Sequence, residues 1–294
     1  MKKQLIHPPS FLRNNVAYEV IMGSVAYGVS NTSSDMDIYG FCVPPKHIIF
    51  PHLAGVISGF GNQGQKFEQW QQHRVFNESA KKEYDFSIYS IIKYFHLCMN
   101  NNPNIIDSLF VPRRCILHST QVAEHIREHR KDFLHKGSWH KFKGYAYSEV
   151  HKMKIKDPEK GSTRYEMVQK YGYDLKFAYH VVRLLNEVEQ IMIEKDLDLQ
   201  RNREELKSIR NGEWTKEQIL KYFEKKEKVL EEVYIKSDLP HSPNEDKIKT
   251  ILLECLEMHY GSLDDAITRQ VPLEQILDEL ETYIHKIRKI VKKG

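Results

Sequence analysis

Apolar residues come in short runs over the first third of the chain and in a helical rhythm over the rest. VAYEVIM (16–22) is an apolar run that stops at Gly23, the pattern of a central strand. DMDIYGFCV (35–43) is a second run, closed by Pro44 and Pro45, and HLAGVIS (52–58) is a short third. EYDFSIYS (83–90) alternates acidic or polar residues with aromatic or aliphatic ones and predicts a fourth strand. IIKYFHLCMNN (91–101) then predicts a helix that stops at Pro103. Beyond about residue 119 the pattern is helical. In YDLKFAYHVVRLLNEVEQIMIEK (173–195), Ala178, Val181, Val182, Leu185, Val188 and Met192 recur at helical spacing. TKEQILKYFEKKEKVLEEVY (215–234) opens with a capping box, Thr215 with Gln218, and EDKIKTILLECLEMHYG (245–261) ends at a glycine suited to a C-cap. A last helix is expected near 273–292, with Leu273, Ile276, Leu277, Leu280, Ile284, Ile287 and Val291 on one face. Its basic end, KIRKIVKK, suits the negative pole of a helix C-terminus.

These patterns predict an α+β fold. A mixed sheet with helices over residues 1–118 precedes a mainly helical domain over 119–294, and VPRRCILHST (111–120) suits either side of the boundary. A length of 294 residues allows a large core and favours two domains over one.

Composition narrows the class. No apolar run is long enough to span a bilayer, and the start, MKKQLIHPPSF, lacks an apolar stretch behind its lysines, so neither a membrane helix nor a signal peptide is expected. Cys42, Cys98, Cys115 and Cys255 form no CxxC pair, which argues against a zinc site or a disulfide framework and for thiols in a reducing cytosol. Net charge is only +4, but residues 127–176 hold 13 Lys or Arg against 7 Asp or Glu. A basic segment of that kind suits either a phosphate-rich partner or a solvated helical surface.

The candidate chemistry lies in MGSVAYGVSNTSSDMDIYGF (22–41). In a strand, Asp35 and Asp37 project to the same face, and two adjacent carboxylates repel each other. A divalent cation such as Mg2+ or Mn2+ compensates them, because hard oxygen ligands suit it and substrate phosphates complete its shell. Gly23 lets the backbone approach a ligand, SVAYG can form a short helix facing an anion, and the hydroxyls of Ser24 and of Ser33 or Ser34 suit a phosphate. A third carboxylate is expected from EYDFSIYS, where Glu83 and Asp85 share one face; Asp85, beside the apolar section, is the better placed.

Gly-Ser, ten residues, then Asp-x-Asp with an apolar flank resembles the signature of the DNA polymerase β-type nucleotidyltransferase superfamily. NNNPNIIDSLFVP (100–112), GYDLKFAYHVVRLL (172–185), IRNGEW (209–214) and SDLPHSPNED (237–246) further resemble the bacterial and phage family of predicted nucleotidyltransferases associated with RNA ligases. The similarity runs over roughly residues 20–255, with Asp107 standing where Glu is expected. The resemblance implies transfer of a nucleoside monophosphate from an NTP with Mg2+, in a two-metal arrangement. Asp35, Asp37 and Asp85 would be metal ligands and catalytic groups, Asp85 also helping to deprotonate the attacking hydroxyl. Gly23 and Ser24 would hold the triphosphate.

Lys176, His180 and Arg183 fall on one line of the 173–195 helix, nearly opposite its apolar face. A solvated face is one reading of that line; the other places Lys176 and Arg183 on the NTP phosphates from across a cleft, with His180 beside them or structural and Arg164 a further candidate. GFGNQG (59–64) matches GxGxxG, but no βαβ unit continues from it, so a loop is expected there. RKDFLH (130–135) matches an Arg-x4-His pattern that any basic helix produces. The acceptor that these signals favour is an RNA end, as in tRNA repair, with an RNA ligase as functional partner. The alternatives are an adenylyltransferase acting on a protein or small molecule, and a non-catalytic nucleotide- or RNA-binding module.

Overall fold

The computed structural model describes residues 5–32, 34–50, 52, 55, 66–155 and 160–261. Ser33, most of the strand expected at 52–58, the GFGNQG segment and the helix expected at 273–292 lie outside them. In chain order the elements are α1 (Leu12–Asn15), β1 (Val16–Ile21), α2 (Gly23–Ala26), β2 (Met36–Cys42) and α3 (Lys46–Ile49). Next come β3 (Gln69–Asn77), β4 (Lys82–Ser90), α4 (Ile91–Met99), α5 (Pro103–Phe110), β5 (Ile116–Ser119) and α6 (Gln121–Glu128). The helical part comprises α7 (Gly137–Ile155), α8 (Thr163–Tyr171), α9 (Leu175–Glu194), α10 (Arg203–Arg210), α11 (Lys216–Lys236) and α12 (Glu245–Tyr260).

The strands form one mixed sheet in the order β3-β4-β2-β1-β5. β2 and β4 run parallel, with Asp37 opposite Asp85, while β1 runs antiparallel to β2, with Ile21 opposite Ile38. This topology brings the end of β1 and the starts of β2 and β4 to the same edge of the sheet. Gly23, Ser24, Asp35 and Asp37 of the candidate site leave from that edge. β3 was not foreseen in QKFEQWQQHRVF. It is an edge strand with polar side chains, and a bulge between Gln72 and Val75 breaks its alternation.

Local chemistry fixes the helices. Ser90 caps α4 by accepting from the Lys93 amide, and Pro103 stands in the first turn of α5 behind its cap Asn102. Asp174 caps α9 through the amides of Lys176 and Phe177, and α11 carries the full Thr215–Gln218 capping box. One apolar core joins the sheet to the helices; Tyr18, Phe41, Tyr94, Phe133, Trp139 and Phe142 are all fully buried in it. Residue 118, the expected domain boundary, falls inside β5, which pairs with β1. All four cysteines are buried and free, and among the described residues no helix is long and apolar enough to cross a membrane.

Candidate active site

A cavity of about 280 Å³ opens at the sheet edge where β1 ends and β2 begins. Gly23, Ser24, Ser34, Asp35 and Asp37 line one wall, and Lys176, His180 and Arg210 line the other. The first wall follows from the turn after β1. The Met22 amide donates to the Asp37 carbonyl at 2.7 Å, so the turn starts pinned to β2. Gly23 then takes a positive φ of 61°, and the Val29 amide closes the loop onto the Ser24 carbonyl at 2.9 Å. A methyl group at Gly23 would overlap Asp37 Oδ2. Glycine is therefore required twice here, by its backbone angle and by the carboxylate beside it.

This gives a direct prediction. Gly23→Ala is expected to displace the Asp37 carboxylate and lower any turnover at this site by up to about 10²-fold, because sub-ångström placement controls such chemistry. Steady-state kinetics with a melting curve checks it; an alanine variant with the parent's rate would remove Asp37 from the site.

Asp35 is exposed and Asp37 half-buried. Burial is the main cause that lifts the Asp37 carboxyl above the ordinary carboxylate range; Lys176 opposes it, Asp85 and Asp35 add to it, and His73 opposes it weakly. A carboxyl whose folded pKa is raised contributes its stability fully below the unfolded pKa and loses it as pH rises through the folded pKa. Asp37→Asn cannot ionise. In chelator it is expected to melt above the parent at neutral pH and level with it in acid. A divalent ion should reverse the order at neutral pH, since it stabilises only the parent by binding. Thermal melts across pH, with and without the ion, check both halves; a parent that melts higher in chelator at neutral pH refutes them.

Asp85 does not line the cavity. It sits at the rim, beside Asp37 in the parallel register. The β3 bulge turns toward it: the Arg74 amide, at a φ of 55°, donates to Asp85 Oδ1 at 2.7 Å, and His73 Nδ1 lies 3.6 Å from Oδ2. Glu83 lies two residues nearer the start of β4, opposite Phe76. Among the described residues, no three His, Cys, Asp or Glu side chains stand together ready to hold a metal. Asp35 and Asp37 do offer two hard oxygen donors on an open, polar cavity. That donor set fits Mg2+, which takes one or two carboxylates and completes its shell with water and phosphate.

The opposite wall departs from the expected basic stripe. Lys176 is exposed and lines the cavity. His180 also lines it, half-buried, and burial followed by Arg183, Lys176, Arg210 and Lys152 pushes it well below the usual histidine range. Arg183 is not on a solvated face at all. Its side chain is 4% exposed and donates to Asp107 Oδ2 at 2.5 Å, Tyr27 Oη at 2.9 Å and both oxygens of Glu187. The reason is that α9 is packed on by α7, α8, α10 and α11, so its polar line is buried too. Arg164 lies in an adjoining groove, 3.8 Å from Asp174.

Arg210 was not foreseen. Its Nη1 donates to the Val29 carbonyl at 2.7 Å, and its guanidinium lies 5.4 Å from the Tyr179 ring centroid. It is thereby tied to the loop that carries Ser24.

A model of the RlaP family, described as the RNA repair pathway DNA polymerase beta family, matches residues 5–251. The chain belongs to the RlaP family. It is thus a polymerase-β-type nucleotidyltransferase by family, of the RNA repair branch. No curated protein matches the chain. Among solved structures, the nucleotidyltransferase-like protein from Exiguobacterium sibiricum 255-15 aligns over 95% of this chain and 90% of its own, at 9% identity and a TM-score of 0.28. A likeness that slight carries no weight beside the family match.

Proposed function

We propose that this RlaP-family chain transfers a nucleoside monophosphate from an NTP to a hydroxyl at an RNA end and releases pyrophosphate. The observation that carries the reading is the pairing of walls: Asp35 and Asp37 with the Gly23–Ser24 turn on one side, Lys176 and Arg210 on the other. Lys176 and Arg210 neutralise the triphosphate from the helical side, and Gly23 and Ser24 bring an amide and a hydroxyl to it. Asp35 and Asp37 hold the divalent ion, which when bound offsets charge on the phosphates. The acceptor oxygen attacks the α-phosphorus, the bond from that phosphorus to the β-bridging oxygen breaks, and pyrophosphate leaves with the bond's electron pair. The acceptor's proton passes to Asp85, which the Arg74 amide and His73 hold in place. Catalysis of this kind is mostly positioning and charge neutralisation.

The division near residue 118 becomes, in this reading, a division of labour: carboxylates from the sheet part, cations from the helical part. Four free buried thiols suit work in a reducing compartment. The decisive assay supplies each labelled NTP with Mg2+ or Mn2+ and offers RNA, protein and small-molecule acceptors. Label on RNA alone is expected. Label on protein or a small molecule would redirect the acceptor assignment, and neither transfer nor pyrophosphate with any NTP would overturn the reading.

A further inference from the structure

Two grooves open off the candidate cavity, and both share Lys176 with it. One carries Lys207 and Arg210 and runs along Val29, Ser30 and Asn31, the loop that follows Ser24. It leaves from the Gly23–Ser24 side. The other, about 370 Å³, is lined by Tyr145, Ser148 and Lys152 of α7, Arg164 of α8 and Phe177 of α9. It shares Asn104 and His180 with the cavity as well. Burial is the main lift on the Tyr39 and Tyr89 phenols, and Tyr145 is close enough to add to both. Those rings share a sheet face with Asp37 and Asp85, and the second groove meets the cavity at Asn104, Lys176 and His180.

The lining of the second groove suits more than a polyphosphate. Lys152 Nζ and Arg164 Cζ lie 5.8 Å and 5.0 Å from the Phe177 ring centroid, so two cations approach one aromatic ring in the groove lining. Glu149 at 2.6 Å and Asp174 at 3.8 Å steady them without using all their donors. Across from them Tyr145 is 39% exposed, and the Asn102 side chain donates to its hydroxyl at 3.0 Å. An exposed, anchored aromatic beside cations is the combination that single-stranded nucleic acid uses: base on ring, phosphate on charge.

We propose that this groove seats the acceptor as single-stranded RNA, its end nucleotides stacked on Tyr145 and their phosphates on Lys152 and Arg164. The terminal hydroxyl then enters the cavity at its Asn104–His180 end. This rests on the nucleotidyl-transfer reading above, and it moves Arg164 from the NTP to the acceptor. It also gives a use to Lys152 and Arg164, two of the cations in the basic segment 127–176.

Binding tests it without chemistry. A labelled short single-stranded RNA is titrated against the parent, Lys152→Gln with Arg164→Gln, and Tyr145→Ala, followed by anisotropy over a range of salt. The double variant is expected to bind about tenfold more weakly at low salt, with a salt slope shallower by roughly 1.4, the two lost single-strand phosphate contacts. Tyr145→Ala is expected to weaken binding at least about fivefold, with the salt slope unchanged. Affinity for a fluorescent ATP analogue should not move in either. Parental RNA affinity and slope in the double variant would overturn the proposal, as would a parent that binds no single strand, or ATP-analogue affinity that falls together with RNA affinity. The two readings fail separately. Groove-dependent RNA binding without pyrophosphate from any NTP would sink the transfer reading and leave the groove standing. Transfer to RNA that ignores the groove variants would do the reverse.

Discussion

Replacing Asp35 and Asp37 together by alanine is expected to abolish nucleotidyl transfer, a loss on the order of 10³-fold or more, while the protein stays folded. Both carboxylates line the candidate cavity, and among the described residues no hydrogen bond or ion pair engages either one. They are spare as structural groups. Asp35 is exposed, and Asp37 is held half-buried in a charged form that the fold disfavours. Removing them therefore takes away both carboxylates among the described residues that line the cavity, with little loss of packing. The measurement is label transfer and pyrophosphate release beside a thermal melt. A melt at or above the parent's with no detectable product is the expected outcome. Parent-like transfer by the double variant would mean that the reaction runs elsewhere on the molecule. Loss of transfer together with loss of fold is answered by the single Asp35→Asn variant, which keeps volume and removes one donor at an exposed position.

Legibility in the sequence followed the range of the interactions. The turn between β1 and β2 was readable because everything in it is local: an apolar run, a glycine, hydroxyls, then acids two residues apart. The same held for the helix caps at Thr215 and Gly261. Register was not readable. Nothing in EYDFSIYS says that Asp85 will stand opposite Asp37; that follows from the parallel pairing of β2 with β4. β3 was missed because it buries little on either face, so nothing enforces an apolar alternation, and its bulge shifts the period at the residues that cradle Asp85. Arg210 gave no local sign of a role, since its partner is the carbonyl of a residue 181 positions away. Lys176, His180 and Arg183 do share a helical line, but a line on a helix tells nothing of what packs there. Lys176 emerges at the cavity, while Arg183, two turns on, meets Asp107 of α5 and Tyr27 from the loop after Ser24.

Arg183→Ala is accordingly expected to act on stability first. If the guanidinium lay on the triphosphate, as the sequence suggests, its loss would leave the melt alone and raise the KM for NTP. Buried, it should do the opposite. Its Nη1 serves Asp107, Tyr27 and Glu187, and its plane lies 4.3 Å from the Tyr27 ring centroid. Burial pushes the carboxyls of both Asp107 and Glu187 up against the pull of Arg183, and Asp107 adds to the push on Glu187. Asp107 Oδ1 already has no partner, and without Arg183 the Tyr27 hydroxyl, 2.9 Å from Asp107 Oδ2, is the donor left to the cluster. Breaking a buried pair by removing one side costs about 3–5 kcal/mol, roughly a 10 °C fall in Tm at this chain size. The cause is separable from lost packing. Carboxyls with raised folded pKa destabilise as pH climbs through those values, so the deficit should be larger at about pH 8 than at about pH 5. Adding Asp107→Asn and Glu187→Gln to Arg183→Ala should recover a large part of it, because no charge is then stranded. A deficit that ignores pH and survives the triple substitution would be a packing cavity instead. Function should follow the fold here: Tyr27 lines the candidate site, and its amide closes on the Gly23 carbonyl at 3.2 Å. Below its own melting point, Arg183→Ala should therefore lower kcat through a misplaced Gly23–Ser24 turn, while the triple variant regains stability without regaining rate.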